Sequence, residues 1–116
     1  MHTIGPGGKP EAGEERVGVG SVLGSPFVAR GDRTDEATVC YWELLKGGRS
    51  AHEIGRDLGI PVHESQGRVT RARRDGALAR LVSRVRDGEA VGVRCSCRHE
   101  PCHAYMVREW VSRAAL

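Results

Sequence analysis

"LARLVSRVRDGEAVGV", residues 78–93, decides between two architectures. Had its first half alternated apolar and polar side chains, it would form one arm of a hairpin turning at Asp87-Gly88. It does not alternate. Leu78, Leu81, Val82 and Val85 recur at i, i+3, i+4 and i+7, the spacing of one helical face. The second half does alternate, with Val91 and Val93 on one side, and reads as a strand. The stretch therefore predicts a helix, a turn at Asp87-Gly88 and a strand over Val91 to Cys95. Helices that precede a strand can return the chain parallel to an earlier one. The earlier strand expected is Arg16 to Val22, in "RVGVGSVLGSPF", which ends in a Gly-Ser-Pro turn. The fold class expected is α/β, a small sheet with flanking helices and an interior Val91 strand.

Helices are expected on both sides of that decision. Thr34 suits an N-cap, with Asp35 and Glu36 in the first turn. Ala37, Cys40, Tyr41, Leu44 and Leu45 follow as an apolar stripe, and Gly47-Gly48 ends it. Ser50 suits the cap of a second helix with Ala51, Ile54 and Leu58 inward, broken at Gly59-Ile60-Pro61. A third, arginine-rich helix is expected from about Val62 to Asp75. Pro101 suits the first turn of a last helix whose buried face is Met106, Val107, Trp110, Val111 and Ala114. Residues 1–15 are glycine-rich and poor in large apolar side chains, so a disordered tail is expected there. Residues 16–116 are expected to form one domain.

At 116 residues the chain suits a single domain that its own core can hold. No charged start followed by an apolar run suggests a signal peptide, and no stretch approaches the length of a membrane span. The expectation is a cytoplasmic protein with reduced thiols and no membrane partner. The net charge of +3 conceals an uneven distribution. Between Gln66 and Arg86 stand seven arginines, Arg68, Arg71, Arg73, Arg74, Arg80, Arg84 and Arg86, against the single acid Asp75. Such a run meets phosphate, or it is a solvated helix face.

"RCSCRHEPCH", residues 94–103, holds three of the four cysteines and two of the five histidines. As a metal site it offers Cys95, Cys97 and Cys102 to zinc, with His103 or His99 as fourth ligand. As a reactive thiol, Cys102 is the nucleophile and His103 or His99 its base. Plain packing at a strand end, or a disulfide under oxidising conditions, are the other readings. Cys40 lies on an apolar stripe and reads as a small core residue.

Two resemblances add to these readings. "VLGSPFV", "RTDEATVCYWELL" and "VGVRCSCRHEPCHAYMVREWV" resemble a small family of bacteria and their phages known as domain of unknown function 4326. Its features correspond here to Gly24, Ser25, Pro26 and Phe27, to Tyr41, and to Cys95, Cys97, Cys102 and His103. Ser25 stands where that family usually has asparagine. The resemblance covers about half the chain, implies an α/β domain and brings no established activity. The Gly24–Phe27 loop reads as a tight turn with Phe27 in the core, or as a ligand loop in which Phe27 stacks on a base.

"SAHEIGRDLGIPVHESQGRVTRARRDGAL" resembles a helix-turn-helix of winged type, inserted at about residues 49–77. Ser65 and Ala72 depart from its usual apolar positions. The resemblance implies that Gln66 and Arg68, beside Glu64 and Ser65, reach base edges, while Arg71, Arg73 and Arg74 serve phosphates. A winged α+β fold is the alternative architecture. The function expected is that of a nucleic-acid-associated accessory protein with a zinc-binding Cys/His cluster. An enzyme acting on a nucleotide or nucleobase through Cys102 and His103, and a non-catalytic protein that binds a host protein, are the alternatives.

Overall fold

A computed structural model of the chain describes residues 2–4, 14–17, 21–28, 33–94 and 103–116. Helices dominate it. They are α1 (Thr34–Lys46), α2 (Ala51–Leu58), α3 (Glu64–Gly67), α4 (Arg71–Arg86) and α5 (His103–Ala114). Three short strands, β1 (His2–Ile4), β2 (Glu14–Arg16) and β3 (Val91–Arg94), form a sheet in the order β1-β3-β2. The chain is thus α-rich with a small sheet, rather than evenly layered α/β.

The deciding stretch folds as its spacing predicts. Leu78 to Arg86 complete α4, with Leu78 and Leu81 buried and Val82 and Val85 half-buried. Gly88, at φ 92°, turns the chain into β3. The region from Leu78 to Val82 is helical, which overturns the winged alternative: it has no strand to lay against β3 across Asp87-Gly88. Strand β3 is central. It pairs parallel with β2, Glu14 opposite Gly92 and Arg16 opposite Arg94, and antiparallel with β1. The Val17 N–H extends the parallel ladder by donating to the Arg94 carbonyl at 2.8 Å.

Two expectations need correction here. The early strand lies at Glu14–Arg16, ahead of the predicted Arg16 to Val22, and Ser21 to Leu23 form a turn closed by Gly24 N–H on the Ser21 carbonyl. Nor is the whole of 1–15 a disordered tail, because His2–Ile4 and Glu14–Arg16 lie in the sheet. The physical reason is backbone accounting. Val91, Gly92 and Val93 are buried, so both edges of β3 need hydrogen-bonding partners, and these two segments supply them.

The helical core follows the stripes. Ala37, Cys40, Tyr41, Leu44 and Leu45 of α1 are all buried, and so are Val107 and Val111 of α5. Arg33, not Thr34, holds the N-cap position of α1. Its guanidinium pairs with Glu36 and donates to the carbonyls of Leu58 and Gly59 at 2.7 and 2.8 Å. Arg33 thereby ties the start of α1 to the end of α2. Ser50 caps α2 as predicted, in a reciprocal capping box with Glu53. Leu58 is 43% exposed rather than inward. Gly59 takes the left-handed conformation at φ 67° and swings Ile60 into the core in its place. No helix among the described residues is long and apolar enough to cross a membrane.

Candidate nucleic-acid interface

The arginine-rich helix expected over Val62 to Asp75 is in fact two. After α3 the chain bends through Arg68 to Thr70, and α4 restarts with the Thr70 hydroxyl accepting from the Arg73 N–H at 3.2 Å. Gln66 lies one residue before the end of α3. It is only 4% exposed, and its amide nitrogen donates to the carbonyls of Ser21 and Gly24 at 3.1 and 3.2 Å. A glutamine anchored inward on α3 does not face a base, which corrects its assigned role. Gly67 lets α3 pack closely against His52 of α2 and Val62, because a Cβ there would stand 2.9 Å from the His52 ring and 3.0 Å from Val62. The segment also does not end near residue 77, since α4 runs unbroken to Arg86.

The same anchoring seals the Gly24–Phe27 loop. Tyr41 Oη donates to the Leu23 carbonyl at 2.5 Å. Phe27 is buried and bridges Val62, while His63 N–H donates to Pro26 at 2.7 Å and Val28 N–H to Pro61 at 2.8 Å. Phe27 is a core residue of a tight turn and is not free to stack on a ligand.

His103 opens α5 and is buried. Its Nε2 meets the Val17 carbonyl, and its ring stands edge-on to Tyr41 with centroids 5.3 Å apart. The structure thus brings together the turn before Gly24, Tyr41 and His103. Cys95, Cys97 and Cys102 lie outside the described residues, as does His99. The zinc expectation is corrected: among the described residues no group of three or more His, Cys, Asp or Glu could hold a metal ion. His103, the fourth ligand expected, directs Nε2 at a carbonyl oxygen, so that nitrogen carries a proton and offers no lone pair. Cys40 is buried, and burial first and the nearby Glu36 carboxylate second push its thiol pKa up, as befits a core residue.

The remaining predicted residues gather where α2 and α4 begin. Arg49, Ser50, Arg68, Thr70, Arg71 and Arg74 help to line a cavity of about 410 Å³. No carboxylate lines it among the described residues. At its rim Arg49 pairs with Asp57, Arg68 with Glu64 at 2.6 Å, and Arg71 with Asp75 at 3.4 Å. These pairs are exposed, and such pairs contribute only about 0–1 kcal/mol, so their arginines exchange partners readily. Arg73 is exposed and makes no ion pair among the described residues. Arg74 differs from all of them. It is 7% exposed, and among the described residues its one side-chain hydrogen bond runs from Nη2 to the Val69 carbonyl at 3.2 Å. Burial pushes its pKa down from the usual arginine range.

Sequence reasoning named Arg68, Arg71, Arg73 and Arg74 but missed Arg49 and the convergence of two helix starts. The signals were present: Arg49 precedes the capping Ser50, and Thr70 precedes Arg71 as a second capping residue. What could not be read was that Gly48 and Gly67 lie along the same cavity. No family model, no curated protein and no solved structure matches the chain.

Proposed function

We propose that the protein is a small nucleic-acid-associated accessory protein that holds phosphates at the head of α4. The observation that carries this reading is the cluster of Arg49, Arg68, Arg71 and Arg74 around one cavity that no acid lines among the described residues. Arg73, exposed on the first turn of α4 but outside the cavity lining, adds a further guanidinium to that helix. Guanidinium groups suit phosphate because their fork of donors matches its oxygens. In this reading the helices between β2 and β3 form an α/β crossover. Segment 49–77 within it is a helix-turn-helix-like platform that contacts backbone rather than bases. A four-residue α3 is too short to present a row of side chains along a groove, and Gln66 is turned inward.

Binding of this kind is sequence-indifferent. Arg71→Ala and Arg73→Ala should weaken binding to unrelated duplexes by the same factor, measured by fluorescence anisotropy on two labelled DNAs of different sequence. A loss confined to one sequence would contradict backbone contact. Absence of binding to duplex DNA and structured RNA at low salt would overturn the reading.

A further inference from the structure

We propose that the cavity between the starts of α2 and α4 is a specific site for one phosphate monoester, with Arg74 as its floor. The inference rests on the nucleic-acid reading for its biological source but on separate geometry for its chemistry. Arg74 is nine-tenths buried and makes no ion pair among the described residues, although Tyr41 and the Asp75 carboxylate act on it through space. A guanidinium carries five N–H donors, and only the bond to Val69 engages one. None of its nitrogens is a fully buried atom without a partner, and the side chain lines the cavity. Burial outweighs the through-space support of Tyr41 and Asp75, so the charge of Arg74 is held at a cost that an anion in the cavity would offset.

The rest of the cavity points to the same ligand. Helix α2 begins at Ala51 and α4 at Arg71, and both starts lie on it. Their free N–H groups and positive dipole ends favour a dianion. The Ser50 and Thr70 oxygens are already accepting from Glu53 and Arg73 N–H, so their hydroxyl protons remain to donate outward. A phosphodiester within a strand must leave with chain on both sides. A phosphate set down on the floor of a recess is more easily a terminal one, with a single substituent passing the rim of Arg49, Arg68 and Arg71. The class of ligand is therefore a phosphate monoester, from either a nucleoside monophosphate or a 5′-phosphorylated strand end.

The test uses the full chain with four probes: inorganic phosphate, a nucleoside 5′-monophosphate, and one single-stranded oligonucleotide with and without a 5′-phosphate. Backbone amide NMR shifts on the wild-type protein should move at Ala51 and Arg71 with each phosphate probe. The phosphorylated oligonucleotide should bind about tenfold tighter than its 5′-hydroxyl twin. Arg74→Gln should abolish that preference, and affinity should rise as pH passes about 6, where the monoester becomes a dianion. The amide shifts need no variant, so an unfolded Arg74→Gln protein does not blunt the test. A mononucleotide that binds as well as the phosphorylated strand identifies a free nucleotide as the ligand, and a stronger strand end identifies nucleic acid. Unmoved amides, with equal affinity for the two oligonucleotides, overturn the site while leaving duplex binding through Arg71 and Arg73 intact. Moved amides without any duplex binding overturn the nucleic-acid reading and leave the site standing.

Discussion

Gln66 shows how one side chain sets the shape of its surroundings. Its amide closes the turn before Gly24 and holds α3 against it. Gln66→Ala leaves two carbonyls without that donor, and a loss of about 2 kcal/mol is expected in urea unfolding. Sequence preference toward DNA should not change, because Gln66 reads no base. Gly55 is constrained differently. An added Cβ would stand 2.7 Å from the Ile60 carbonyl oxygen, a backbone atom that cannot step aside, so Gly55→Ala should cost roughly 1–3 kcal/mol by the same measurement. Cys40 supplies a pH signature. Its folded pKa is raised above the usual 9.0, chiefly by burial, so its contribution is full below that value and is lost as pH rises through the higher folded pKa. Cys40→Ala should flatten the alkaline limb of a thermal-stability profile; an unchanged limb would show that Cys40 does not govern it.

Among the elements, the restart of α4 governs the candidate site. A continuous helix from Val62 to Asp75 would carry Arg71 and Arg74 away from α2. The Thr70 cap instead sets the start of α4 beside the start of α2. Thr70→Ala should cost about 1 kcal/mol in thermal unfolding and weaken phosphate binding with it. The helical stripes of α1, α4 and α5 were legible because their apolar spacing is set by burial on one face. The break at Arg68 to Thr70 was not, because the anchoring of α3 beside it runs through Gln66 to carbonyls 42 and 45 residues earlier in the chain. Leu58 misled for a related reason, since the left-handed Gly59 hands its place in the core to Ile60. Of the candidate site, the arginines could be read from composition. Which of them is buried depends on how α1, α2 and α4 pack.

For the whole molecule, β3 is the seam between sheet and helices. Deleting residues 1–4 removes β1 and uncovers one edge of β3, so amide hydrogen-exchange protection across Val91–Arg94 should fall. Unchanged protection would mean that β1 contributes no stability to the seam. Helix α4, which packs on β3, carries most of these arginines, and the central claim is that the arginines at its head grip phosphate. The most direct test is the salt dependence of duplex binding by the full chain between about 50 and 200 mM salt. The account predicts a linear fall of log affinity with log salt, whose slope flattens by roughly 0.9 for each of Arg71→Ala and Arg73→Ala. A slope near zero, or one that neither substitution changes, would contradict it.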